Sequence, residues 1–117
     1  MSIAVIDYGS GNLKSAAKAL EVAVNNVNLS SKIVVTSDPQ IIKQSDKIIL
    51  PGQGSFRDCY LGIKKIPGLN ETLNEFVLVK KKPIFGICVG MQLFAKTGYE
   101  SQETKGFGWI DGEVRKI

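Results

Sequence analysis

Gly86-Ile87-Cys88-Val89-Gly90 is the segment of this sequence best suited to covalent chemistry. A strand-like run, Pro83 to Ile87, leads into it, and Met91 to Lys96 reads as helical beyond it. Cys88 therefore falls on the bend between a strand and a helix. A glycine two residues away on each side permits a sharp turn that holds a nucleophile in a strained backbone conformation. The helix N-terminus that follows brings free N–H groups and the positive end of a dipole, which favour a thiolate. The competing reading is a buried cysteine at a strand end, because free cysteine packs as a small hydrophobe. Gln92 comes one helical turn after Cys88, where its amide could hold a substrate amide or carboxylate; otherwise it is a solvated helix residue.

Two further turns carry chemical potential. Pro51-Gly52-Gln53-Gly54 follows the apolar run Lys47 to Leu50. Its glycines let backbone N–H groups turn outward, where they can form an oxyanion hole, although Pro-Gly also serves as a plain strand-ending turn. Asp7-Tyr8-Gly9-Ser10-Gly11-Asn12 follows the run Ile3 to Ile6. It imitates a dinucleotide-binding loop, but Lys14 stands where the third glycine of that fingerprint belongs, so that function is set aside. Cys59 follows Phe56-Arg57-Asp58 in a helical stretch without flanking glycines and is read as structural. Trp109 is read as packing rather than ligand stacking.

The elements that would position these turns alternate. Strands are expected over Ile3–Ile6, Lys32–Thr36, Lys47–Leu50 and Pro83–Ile87, and helices over 13–24, 54–65, 69–79 and 91–96. A strand or hairpin is expected among Gly106, Gly108 and Gly112. Alternation of this kind implies an α/β fold, a mostly parallel open sheet flanked by helices, with right-handed crossovers. Ligands bind such sheets outside the carboxyl ends of the strands, where all three turns fall.

Length and composition bound the rest. The chain has 117 residues, 44% hydrophobic and 22% charged, with net charge +4; that suits a single domain spanning 1–117. Lys80-Lys81-Lys82 reads as a solvated helix end, and without interleaved aromatics no nucleic-acid partner is expected. No apolar run is long enough for a signal peptide or a membrane span. Two separate cysteines without a metal-ligand spacing fit a reducing, cytoplasmic setting. Histidine is absent from all 117 residues, so chemistry that needs an imidazole base cannot be completed within them.

The order strand, Pro-Gly-x-Gly, strand, Gly-x-Cys-x-Gly-x-Gln resembles the class I, triad-type glutamine amidotransferases, whose fold is flavodoxin-like. Asp7 to Ser15, Leu50 to Phe56, Gly86 to Leu93 and Gly106 to Val114 more narrowly resemble the glutaminase subunits of imidazole glycerol phosphate synthase. The resemblance covers essentially the whole chain. It implies that Cys88 attacks the side-chain amide of L-glutamine and forms a thioester. Gly52, Gln53 and the Val89 N–H would make the oxyanion hole, and Gln92 and Gly54 would lie on the substrate. Gly11 and Asn12 would sit at the contact with a cyclase subunit, which uses the ammonia in histidine biosynthesis. No metal or organic cofactor is implied. Many relatives carry valine where this chain has Gln53, which backbone donors tolerate. The family's His-x-Glu motif has no counterpart here. The fold is thus expected to be incomplete at the C-terminus, the isolated chain to turn over negligible glutamine, and uncovered surface to drive self-association. Another class I amidotransferase and a non-catalytic α/β binding module are the alternative readings.

Overall fold

A computed structural model describes all residues, 1–117. Seven strands and five α-helices follow one another as β1 (Ser2–Ile6), α1 (Leu13–Asn26), β2 (Lys32–Thr36), α2 (Pro39–Gln44), β3 (Lys47–Gly52), α3 (Phe56–Lys65), α4 (Leu69–Asn74), β4 (Ile84–Cys88), α5 (Val89–Gln92), β5 (Ala95–Tyr99), β6 (Glu103–Lys105) and β7 (Ile110–Arg115), with a π-helical turn at Glu75–Val79 after α4. The first four strands form a parallel sheet in the order β2-β1-β3-β4. The α/β class expected from the alternation of elements is the class observed.

Local signals start the helices. Asn12 accepts from Ser15 N–H at 3.1 Å, Asp38 from Gln40 N–H at 2.9 Å and Ser55 from Asp58 N–H at 3.0 Å. Each cap satisfies a donor that the first turn leaves unpaired and contributes about 1 kcal/mol. Helices α3 and α4 cover one face of the sheet, where Ile6, Ile48, Leu50, Ile63, Leu69 and Leu73 are almost wholly buried. Helix α1 covers the other face with half-buried Leu13, Ala16, Leu20 and Val24 over Ile3, Val5 and Ile49.

Three expectations need correction. Strand β3 runs on through Pro51 and Gly52, because these residues pair with Ile87 and Cys88 of β4. The helix expected over 91–96 is one turn, Val89–Gln92, and Ala95 instead opens strand β5. Ala95 pairs with Ile110 of β7, and the β5-β6 hairpin completes a second, three-stranded sheet. Long-range pairing overrides helix propensity here. Finally, the helix expected over 69–79 shifts from α to π geometry at Glu75.

Candidate active site

The parallel ladder between β3 and β4 ends with Gly52 opposite Cys88. Strand β4 and helix α5 meet at Cys88 with no intervening loop. The bend is taken up by the cysteine itself, at φ +56° and ψ −123°. That backbone region costs a residue with a Cβ about 1–3 kcal/mol. Neighbouring contacts hold it there. A Cβ on Gly90 would lie 2.0 Å from the Leu50 carbonyl oxygen, and one on Gly52 would lie 2.5 Å from Gly90 N. No larger residue fits either position, so the first turn of α5 sits directly on β3. The result is an exposed Cys88 at the end of the edge strand.

The three turns converge. A cleft of about 430 Å³ is lined by Gly11, Asn12, Pro51, Gly52, Gln53 and Cys88, with Ser15, Ala16 and Ile87 at its sides. Residues far apart in sequence thus meet at the carboxyl edge of the sheet, as the strand order requires. Gly54 is exposed with φ +95° just beyond. Val89 is buried at the start of α5. Asn12 spends its side-chain oxygen on the cap of α1.

The backbone of the Pro-Gly turn is already engaged. Gln53 N–H donates to the Ser10 hydroxyl at 2.9 Å, and the same hydroxyl donates to the Gln53 carbonyl at 2.8 Å. Cys59, buried on α3, donates its thiol to that carbonyl at 3.3 Å. Tyr8 donates its phenol to the Pro51 carbonyl. Burial holds the Tyr8 phenol well above the usual tyrosine range, reinforced by the Cys59 thiol beside it.

Gln92 is not among the residues that line the Cys88 cleft. It is half-buried and lines a second depression of about 430 Å³ with Phe56, Tyr99, Glu100 and Arg115. Glu100 carries no local sequence signal. It belongs to this depression because the β5-β6 hairpin brings it to α3, where its carboxylate accepts from Phe56 N–H at 2.9 Å. Arg115 stacks on Tyr99 at 4.2 Å and pairs with Glu113 at 2.7 Å. Trp109 is packing, as expected: it stacks on Phe107 at 4.2 Å and donates to Asn74 at 2.8 Å.

A parallel sheet that presents one cysteine on a strained strand-to-helix elbow, facing a Pro-Gly turn, defines an α/β protein of the cysteine-elbow type. Residues 4–109 match the class-I glutamine amidotransferase family, and the chain belongs to it. It is 52% identical over its whole length to the imidazole glycerol phosphate synthase subunit HisH of Pelagibacter ubique, and 53% identical to the subunit of that name from Bradyrhizobium diazoefficiens. The chain spans about half the length of these relatives, 55% and 54% respectively.

Proposed function

We propose that this chain carries the nucleophile side of a glutaminase site that feeds a cyclase subunit in histidine biosynthesis. The observation that supports it most is the exposed Cys88 at φ +56°, opposite Gly52 on the next strand. In this reading the Cys88 thiolate adds to the carboxamide carbon of glutamine. The tetrahedral oxyanion is met by backbone N–H groups of Gly52, Gln53 and Val89, with Gly54 giving the turn its shape. Collapse breaks the C–N bond as the amide nitrogen takes a proton from water and leaves as ammonia, and the resulting hydroxide or a further water cleaves the thioester to glutamate and the free thiolate. The Gln53 N–H serves an oxyanion only after it leaves the Ser10 hydroxyl. Gln92, Glu100 and Arg115 offer an amide, a carboxylate and a guanidinium, which suit the amino-acid end of glutamine. Gly11 and Asn12 line the cleft, and in this reading they would meet the cyclase.

No side chain in the 117 residues can act as an imidazole base, so turnover by this chain alone is negligible, since loss of a triad member costs orders of magnitude in rate. The free thiols of Cys59 and Cys88 fit a reducing cytoplasm, and no helix is long and apolar enough to cross a membrane. Two measurements test the reading: capture of the chain by an immobilised cyclase subunit of imidazole glycerol phosphate synthase, and ammonia release from glutamine. Capture with no ammonia release is expected. Failure of capture removes the histidine-pathway assignment, and substantial release that Cys88→Ala abolishes removes the claim of inactivity.

The α1 side of the sheet supports the expected self-association. Phe85 pairs with Ile49 in register but is 64% exposed on the edge strand β4. Ile87 continues this apolar strip. An open edge beside apolar side chains is a template for pairing with another chain. Light scattering at rising concentration is expected to show oligomers that Phe85→Lys disperses; a monomer throughout refutes the idea.

A further inference from the structure

The turn that faces Cys88 is also held from behind. Gln53 is the one residue that lines both the Cys88 cleft and a separate cleft of about 420 Å³, which contains Tyr8, Ser10 and Cys59. From this rear cleft come hydrogen bonds to the two carbonyls that bracket Gly52. Tyr8, 5% exposed, donates to the Pro51 carbonyl, and Cys59, 1% exposed, joins Ser10 in donating to the Gln53 carbonyl. A Cβ on Gly52 would lie 2.8 Å from the Tyr8 hydroxyl and 2.5 Å from Gly90 N. Gly52 is therefore clamped between the phenol and the first turn of the helix that follows Cys88. Gly62 leaves room for this arrangement, since a Cβ there would meet the Tyr8 ring at 3.3 Å.

We propose that Tyr8 and Cys59 are positioning residues: by holding the Pro51 and Gln53 carbonyls they anchor the two ends of the Gly52–Gln53 peptide beside the Cys88 elbow while its N–H stays free to turn from Ser10 toward an oxyanion. The proposal rests on the glutaminase reading above. Neither side chain lines the Cys88 cleft, and each acts through the main chain of the turn. The contribution of such residues is orientation, and displacement of a reacting geometry by about 1 Å can cost orders of magnitude in rate.

Two reagents separate orientation from mere folding. Iodoacetamide needs only access to the Cys88 thiolate. A chloromethyl ketone analogue of glutamine needs, in addition, the turn and the substrate depression to seat its carbonyl. Peptide mass spectrometry reads modification at Cys88 apart from Cys59. In Tyr8→Phe and Cys59→Ala the ketone is expected to react about tenfold more slowly, while iodoacetamide changes by less than about twofold. Cys59→Ser, which keeps a donor, should restore the ketone rate. Equal slowing of both reagents, slowing of neither, or a Cys59→Ser variant as slow as Cys59→Ala overturns the proposal. If the native chain takes iodoacetamide but not the ketone, the glutaminase reading falls and takes this proposal with it. Native reaction with both, unchanged in the variants, defeats this proposal alone.

Discussion

Cys59 and Cys88 are the same residue type at opposite ends of chemical availability. Cys59 lies inside α3 in ordinary helical geometry, 1% exposed, with its thiol given to the Gln53 carbonyl. Cys88 is exposed on the bend between β4 and α5, at a positive φ. Main-chain conformation separates the two. A helix interior folds a thiol into the core, whereas an elbow without a loop turns one outward and accepts strain to do so. The glycines around Cys88 create the difference, and nothing comparable surrounds Cys59.

The comparison breaks most completely at Gly90. Gly90→Ala forces a methyl group onto the Leu50 carbonyl and is expected to cost at least about 3 kcal/mol in urea unfolding; native stability would show that the close approach is not a constraint. Next is the reactivity contrast itself. Iodoacetamide should modify Cys88 at least about 100-fold faster than Cys59, because a buried thiol reacts only through local opening. In urea the ratio should fall to about one, and a ratio near one in the native state would dissolve the contrast. Opposite-signed substitutions sharpen it. Cys88→Gly should stabilise the fold by about 1 kcal/mol by releasing the φ strain, while Cys59→Ala should destabilise it by about 1–2 kcal/mol through lost core contacts and the loss of one of the two donors to the Gln53 carbonyl. Agreement in sign would count against the backbone explanation.

The smallest effect is a pH dependence on the Cys59 side. Burial raises the Tyr8 pKa in the folded state. The neutral phenol's contribution is then fully present below the unfolded tyrosine pKa of about 10 and is lost as pH rises above it. Native stability should decline more steeply above that pH than the stability of Tyr8→Phe, and parallel curves would remove the attribution to Tyr8.

Much of this arrangement is legible in the residues alone. Alternating apolar runs place the four parallel strands, and glycine spacing marks the elbow, because both are local consequences of backbone sterics. The second sheet is not legible. Ala95–Tyr99 becomes a strand because Glu103–Lys105 and Ile110–Arg115 pair with its two edges, and nothing within Ala95–Tyr99 announces either partner. The same holds for Glu100, which reaches the Gln92 depression through the β5-β6 hairpin. The Ser10–Gln53 and Cys59–Gln53 hydrogen bonds are likewise invisible until β1, β3 and α3 are assembled. The elbow is legible because its signal lies within five consecutive residues; its supports are not, because theirs is spatial.

The β3-β4 ladder has one more consequence. Side chains on a strand alternate between faces, so slippage of that pairing by a single residue would send the Cys88 sulfur to the opposite side of the sheet. A chain folded in that way could keep its helices and its solubility while being chemically mute. Thiol labelling at position 88 is therefore also a gauge of folding fidelity, sensitive to an error that circular dichroism would pass over.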